Sequence, residues 1–163
     1  MTRIISFLPH VLAAFMAVIF LDSLRYKFTD HPNTQVIFGR LNDWAGGLGA
    51  PGLFGHAGLF SQYVIGSIEL LAATLLVVGM APRLHHLQAA GALAGLLVMA
   101  GAVSFHLFTP LTTDPNHDGG GLFIAACLNL IFAVLLLAVF RRRDFEIFVS
   151  RVLAIFAPLS PAA

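Results

Sequence analysis

The sequence predicts an all-α integral membrane protein: a four-helix bundle with a short interfacial helix in its first loop and an amphipathic helix near its C-terminal end. Three observations lead there. Of 163 residues, 58% are hydrophobic and 10% charged, with a mean hydropathy of +0.88. Four separate segments are each about as long and apolar as a bilayer crossing needs. The stretches between them are rich in proline, glycine, asparagine and aspartate, the chemistry of turns. Soluble domains carry roughly a quarter charged residues, so this chain lacks the polar shell that water would demand, and lipid must solvate much of its surface. The length suits a single domain, residues 1–163.

The predicted spans are residues 4–24, 60–80, 87–108 and 122–140. The second and third are joined by the tight Ala81-Pro82-Arg83-Leu84-His85-His86 connection, in which proline ends the preceding helix. The third and fourth are joined by a turn-rich stretch from Thr109 through Asp114, His117 and Asp118 to three glycines. The long first loop holds a helix start at Asp30-His31-Pro32-Asn33, then Val36, Ile37, Leu41 and Trp44 at helical spacing. That pattern predicts a short helix at the outer interface with Trp44 as an anchor. The glycine-rich run after it, residues 46–58, needs protein to satisfy its backbone and is expected over the mouth of the bundle near His106. Residues 144–157 alternate charges with Phe145, Phe148, Val149, Val152 and Phe156, the pattern of an interfacial amphipathic helix.

Four spans put both termini on one side. Arg3, Arg83, Arg141, Arg142, Arg143 and Arg151 share that side, against Arg25, Lys27 and Arg40 on the other. Basic residues in short loops favour the cytoplasm, so both termini are expected there. The first segment reads as a retained span, because no small-residue cleavage site precedes the charges that follow it. Cys127 lies alone within an apolar run, so it forms no internal disulfide and says little of compartment. A net charge of +1 without a basic stripe speaks against a nucleic-acid partner.

Each span carries a polar residue beside small ones. His10 stands with Ala13, Ala14 and Ala17; Glu69 with Gln62, Gly66 and Ala73; His106 on the face of Gly91, Gly95 and Ala102; and Asn129 with Ala125, Ala126 and Ala133. Small residues let membrane helices approach, so these polar groups are expected to face one another. Glu69, Asn129, His106 and Gln62 form the candidate intramembrane site, with Glu69 bonded to Asn129 and neutral unless Lys27 or Arg25 reaches inward. Two readings of Glu69 stand: a functional acid, or a hydrogen-bonded glue between helices. Lys27, His31, His117 and Asp118 form a candidate outer-face site. They lack ligand spacing, so no metal is expected, and loop caps in solvent explain them as well. His10 reads as a packing residue, His85-His86 as an exposed pair and Arg141–Arg143 as a topology anchor. Asp22 and Arg25, one turn apart, should pair. No nucleophile elbow, phosphate loop, C-x-x-C or haem motif occurs, and His10 and His106 lie at opposite ends. A self-contained enzyme is not expected.

Phe20-Leu21-Asp22-Ser23-Leu24-Arg25-Tyr26-Lys27-Phe28 with Pro32, and Gly66-Ser67-Ile68-Glu69-Leu70-Leu71 running to Gly79 and Arg83, resemble the DoxX family of small bacterial membrane proteins. The likeness spans most of residues 15–140 and places Glu69 and Lys27 at family positions. It implies a four-helix membrane protein and, through relatives associated with quinone-linked sulfur oxidation or oxidative-stress complexes, a redox setting. The stretch 105–110 and the 114–121 loop do not match the general pattern. The leading expectation is an accessory subunit that works with other membrane or periplasmic subunits and presents a quinone-accessible pocket. The alternatives are a small proton-linked transporter using Glu69, and a structural bundle recruiting partners through its outer loops.

Overall fold

Apolar runs broken by proline and glycine fold as the helices they encode. The computed structural model describes residues 2–155, with side chains from Phe7 onward. In chain order it contains α1 (Thr2–Lys27), α2 (Pro32–Gly47), α3 (Gln62–Val78), α4 (His85–Phe108), α5 (Gly121–Leu135), a π-helical turn (Leu136–Phe140) and α6 (Arg142–Ile155). No strand occurs among the described residues. Three stretches are long and apolar enough to cross a membrane: Phe7–Lys27, His85–Phe108 and Gly121–Phe140. The segment expected at residues 60–80 is trimmed to the 17 residues of α3. Ser61 caps its start by accepting from the Val64 amide at 3.3 Å, and the chain leaves the helix at Gly79. Seventeen residues rise about 25 Å, the short end of what a bilayer core accepts.

α3 packs against both α1 and α4, and α5 closes the ring against α4 and α1. The shared core is made of small and flexible side chains, including Ala13, Met16, Ala17 and Phe20 of α1, Ala72, Ala73 and Leu76 of α3, Ala89 and Ala92 of α4, and Ala126 and Ala133 of α5. Between α3 and α4 the fit is closest at Gly91, where an added Cβ would lie 2.8 Å from the Leu76 amide nitrogen and 2.9 Å from the Ala72 carbonyl oxygen. Large apolar side chains instead point outward: Val18, Leu71, Leu97, Ile124 and Val139 are all more than half exposed. Apolar surface of that extent around the whole bundle is what lipid, not water, tolerates.

The two ends of the bundle differ. At the Lys27 end, α2 and the glycine-rich loop lie over the bundle. Leu41, Ala45 and Phe54 form a second small core with Leu111 of the α4–α5 connector. Phe54 meets Phe105 edge to face at 5.2 Å, and Trp44 meets the same ring at 6.2 Å. The glycine-rich run therefore packs on the end of α4 as expected, as a series of turns. At the other end, the α3–α4 turn, the start of α1 and the π-helical turn come together. α6 packs against α4 and the π-helical turn and has no buried residue. Residues 156 and 157 of the expected tail helix lie outside the described residues.

Candidate functional site

Phe20, Ser23 and Lys27 stand three and seven residues apart on α1, which turns them toward one side of the helix. Gln62, Gly66, Glu69 and Ala73 do the same on α3. Where these faces meet, Lys27 Nζ lies 2.9 Å from Glu69 Oε2 and donates to Oε1 at 3.1 Å. Ser23 Oγ donates to Oε2 at 3.1 Å and accepts from Lys27. The Glu69 side chain is 3% exposed and that of Lys27 15%. Gly66 makes room for the lysine stem, since a Cβ there would stand 3.5 Å from Lys27 Cβ and 3.2 Å from Phe28 Cζ. Arg25 turns outward to Asp22 at 2.7 Å, the pair expected from the sequence.

This geometry corrects the expected Glu69–Asn129 contact. Asn129 is fully buried on α5, yet neither atom of its amide has a hydrogen-bond partner among the described residues. The carboxyl group has a cationic partner instead, because the four-carbon lysine stem lets the ammonium reach inward from the last turn of α1. Lys27 reaching inward is the exception the sequence left open, and the geometry is that of an ion pair.

One layer outward, Gln62 donates to the Lys27 carbonyl at 2.7 Å and to Asp30 Oδ1 at 2.6 Å, and accepts from Gln35 at 2.8 Å. Tyr63 donates to the same Asp30 oxygen at 2.6 Å. These bonds tie α1, α2 and α3 together above the ion pair. The Tyr63 hydrogen bond holds the Asp30 carboxyl below its usual range; partial desolvation opposes that, and the Gln62 bond and nearby His56 assist it. Gln62 thus sits in one polar network with Glu69, through Lys27.

His106 belongs elsewhere: buried at the end of α4, its Nδ1 lies 2.6 Å from the Thr112 carbonyl oxygen, to which it donates. It pins the α4–α5 connector. The intramembrane set Glu69, Asn129, His106 and Gln62 is therefore not one cluster. Nor are Lys27, His31, His117 and Asp118. Lys27 is spent on Glu69, while His31 caps α2 by accepting from the Asn33 amide at 3.2 Å. Asp118 accepts from the Gly120 and Gly121 amides at the start of α5, at 2.9 and 3.1 Å. Among the described residues no group of three His, Cys, Asp or Glu side chains is placed to hold a metal ion.

The opposite end carries groups that hydropathy had assigned to topology and packing. The π-helical turn, closed by the Arg141 amide on the Leu136 carbonyl at 2.7 Å, re-aims the chain so that Arg141 points inward and is 9% exposed. Its Nε donates to Gln88 Oε1 at 2.6 Å. The rings of His10 and His85 stand 5.9 Å apart beside it. Phe7, Pro9, His10, Met80, Pro82, His85, Phe140 and Arg141 line a cavity of about 450 Å³ that opens to the surface. The meeting of His10 with His85 was legible in principle: each lies near the start of a helix on the same side of the bundle.

Comparison of the chain with protein-family models, curated proteins and solved structures finds no match. Function must therefore be argued from these two ends.

Proposed function

We propose that the chain is a DoxX-like, four-span protein of the bacterial inner membrane, with both termini cytoplasmic, that serves as an accessory subunit of a membrane complex. The placement of the α3–α4 turn supports the fourth span. Met80, Pro82 and His85 lie beside Phe7 and His10, whereas Gln62 lies beside Lys27, so α3 runs the length of the bundle. The basic residues at the Arg141 end support the orientation.

The observation that carries the accessory role is the state of Glu69. An acid that moves protons must reach water on each side in turn. Here it is enclosed, paired with Lys27 and Ser23, and overlaid by the Gln62–Asp30–Tyr63 bonds. That arrangement supports a locked helix–helix joint over a transport element. The outer surface formed by α2, the glycine-rich loop and the 109–120 connector is then the natural face for other subunits.

The redox setting rests on the family resemblance alone. A quinone suits the cavity at the Arg141 end poorly: its neutral carbonyl oxygens accept hydrogen bonds but leave a buried guanidinium without a countercharge. Mild solubilisation of native membranes followed by affinity purification tests the proposal. Stoichiometric membrane or periplasmic subunits are expected to accompany the chain. Isolation of the chain alone, together with proton flux in proteoliposomes that disappears in Glu69→Gln, would establish the transporter instead.

A further inference from the structure

Among the described residues, the Arg141 end holds more buried polar atoms without a partner than any other part of the bundle. Among the described residues, Arg141 Nη2, Gln88 Nε2 and His10 Nδ1 are buried without a hydrogen-bond partner. Arg141 is more than nine-tenths buried, and both it and the half-buried His10 line the cavity. A buried guanidinium with one neutral partner, the Gln88 amide oxygen, is costly unless an anion completes it. Burial pulls its pKa down and only Asp144 opposes this, but no ion pair joins Arg141 to Asp144 among the described residues.

We infer that this cavity binds the phosphate of an anionic phospholipid, with Arg141 and His10 as its donors and Gln88 as the residue that positions the guanidinium. The donor set alone would suit any phosphate. The walls choose between a lipid and a free ion. Phe7, Met80 and Phe140 line the same cavity, and Phe7 is 65% exposed, so an acyl-bearing ligand finds apolar contact where inorganic phosphate finds none. The level is right as well: Arg141 follows directly on the last apolar stretch, Gly121–Phe140, at the depth where phospholipid headgroups sit. Arg83 and Arg143 add positive charge at that end of the bundle. Guanidinium and phosphate match as a charge-assisted pair, which favours this ligand over neutral amphiphiles. The inference rests on the bilayer placement proposed above and on no redox role.

The test uses the full chain in neutral maltoside detergent. Native mass spectrometry and thermal shift follow titration with phosphatidylglycerol, inorganic phosphate and a short-chain quinone, each alone, and then titration of the quinone into the lipid-bound chain. One phosphatidylglycerol per chain is expected to bind saturably and to raise the melting temperature. Inorganic phosphate should need far higher concentrations, and the quinone should not compete. Arg141→Gln should weaken the lipid by about tenfold or more, through loss of a charge-assisted bond. Arg141→Lys should stay within about threefold, because it keeps the charge. If Arg141→Gln fails to fold, His10→Ala decides, since His10 Nδ1 has no partner to lose among the described residues; it should weaken the lipid several-fold. Wild-type binding in the folded Gln and Ala variants would overturn the inference. So would a quinone that displaces the lipid, or inorganic phosphate that binds equally well. Any of these leaves the membrane placement intact, because that is read from extraction and labelling and not from lipid affinity.

Discussion

Replacing Lys27 by methionine keeps most of the stem and removes the ammonium, leaving Glu69 with Ser23 as its remaining partner. Removing one member of a fully buried ion pair costs about 3–5 kcal/mol in soluble proteins. Two features lower that here. The lysine side chain is 15% exposed, so water reaches part of it, and in a membrane the unfolded helices find alternative polar partners. The expected loss is about 2 kcal/mol for Lys27→Met and about the same for Glu69→Leu. The double variant leaves no unpaired charge and should lie within about 1 kcal/mol of wild type, a non-additivity of roughly 3 kcal/mol. Reversible unfolding in mixed detergent micelles reads this directly. Trp44, the single tryptophan of the chain, packs on Phe105 at the same end of the bundle and reports by fluorescence. If the two single losses simply add in the double variant, Lys27 and Glu69 do not act as a pair and the joint does not exist.

Other expectations follow from close contacts and unsatisfied groups. Gly91→Ala should destabilise by about 1–3 kcal/mol, because the new methyl meets α3 backbone that cannot yield. Gly95→Ala should cost less, since its neighbours are the side-chain ends of Met16 and Phe20 at 3.1 Å; the reverse order in unfolding titrations would contradict the α3–α4 packing. Asn129→Leu should be neutral or stabilise by about 1 kcal/mol, because it removes a buried amide without partners, and a clear loss of stability would reveal a partner for that amide. For Asp30 the sign follows from its depressed pKa. Its contribution is present above the ordinary value of 3.8 and is lost as pH falls through the lower folded value. Melting temperatures recorded against pH should therefore fall more steeply in wild type than in Asp30→Asn below that value, and identical profiles would show that the Tyr63–Asp30–Gln62 bonds do not tie the helices together.

Much of the fold was legible because hydropathy and turn chemistry are local. Three long apolar helices, the shorter apolar α3, the helix beginning at Pro32 and the placement of the glycine-rich run at the end of α4 that carries His106 follow from composition, spacing and the order of the loops. Glu69 could be singled out as a carboxylate in the middle of an apolar span with small neighbours, but its partner could not. Lys27 stands at the end of α1, where a lysine usually extends toward water, and only the juxtaposition of Ser23 and Gly66 turns it inward. Arg141 was hidden for a different reason. Within the Arg141–Arg143 run all three look alike, and the π-helical turn that buries the first of them, closed by a backbone bond from Arg141 to Leu136, is announced by no residue pattern. His10 and His85 meet through topology, not through spacing on one helix. Asn129 was expected to find Glu69 because both stand on faces of small residues, but an inward-facing position in a ring of helices does not decide which neighbours touch.

The count of spans bears most of the account's weight, since α3 has only 17 residues. In a Cys127→Ala background, single cysteines at Asn33, Arg83 and His117 can be challenged with a membrane-impermeant maleimide on spheroplasts of intact cells. Four spans with cytoplasmic termini predict labelling at Asn33 and His117 from outside, and at Arg83 only after permeabilisation. Labelling of Asn33 and Arg83 from the same side would mean that α3 does not cross, which would contradict the four-span bundle.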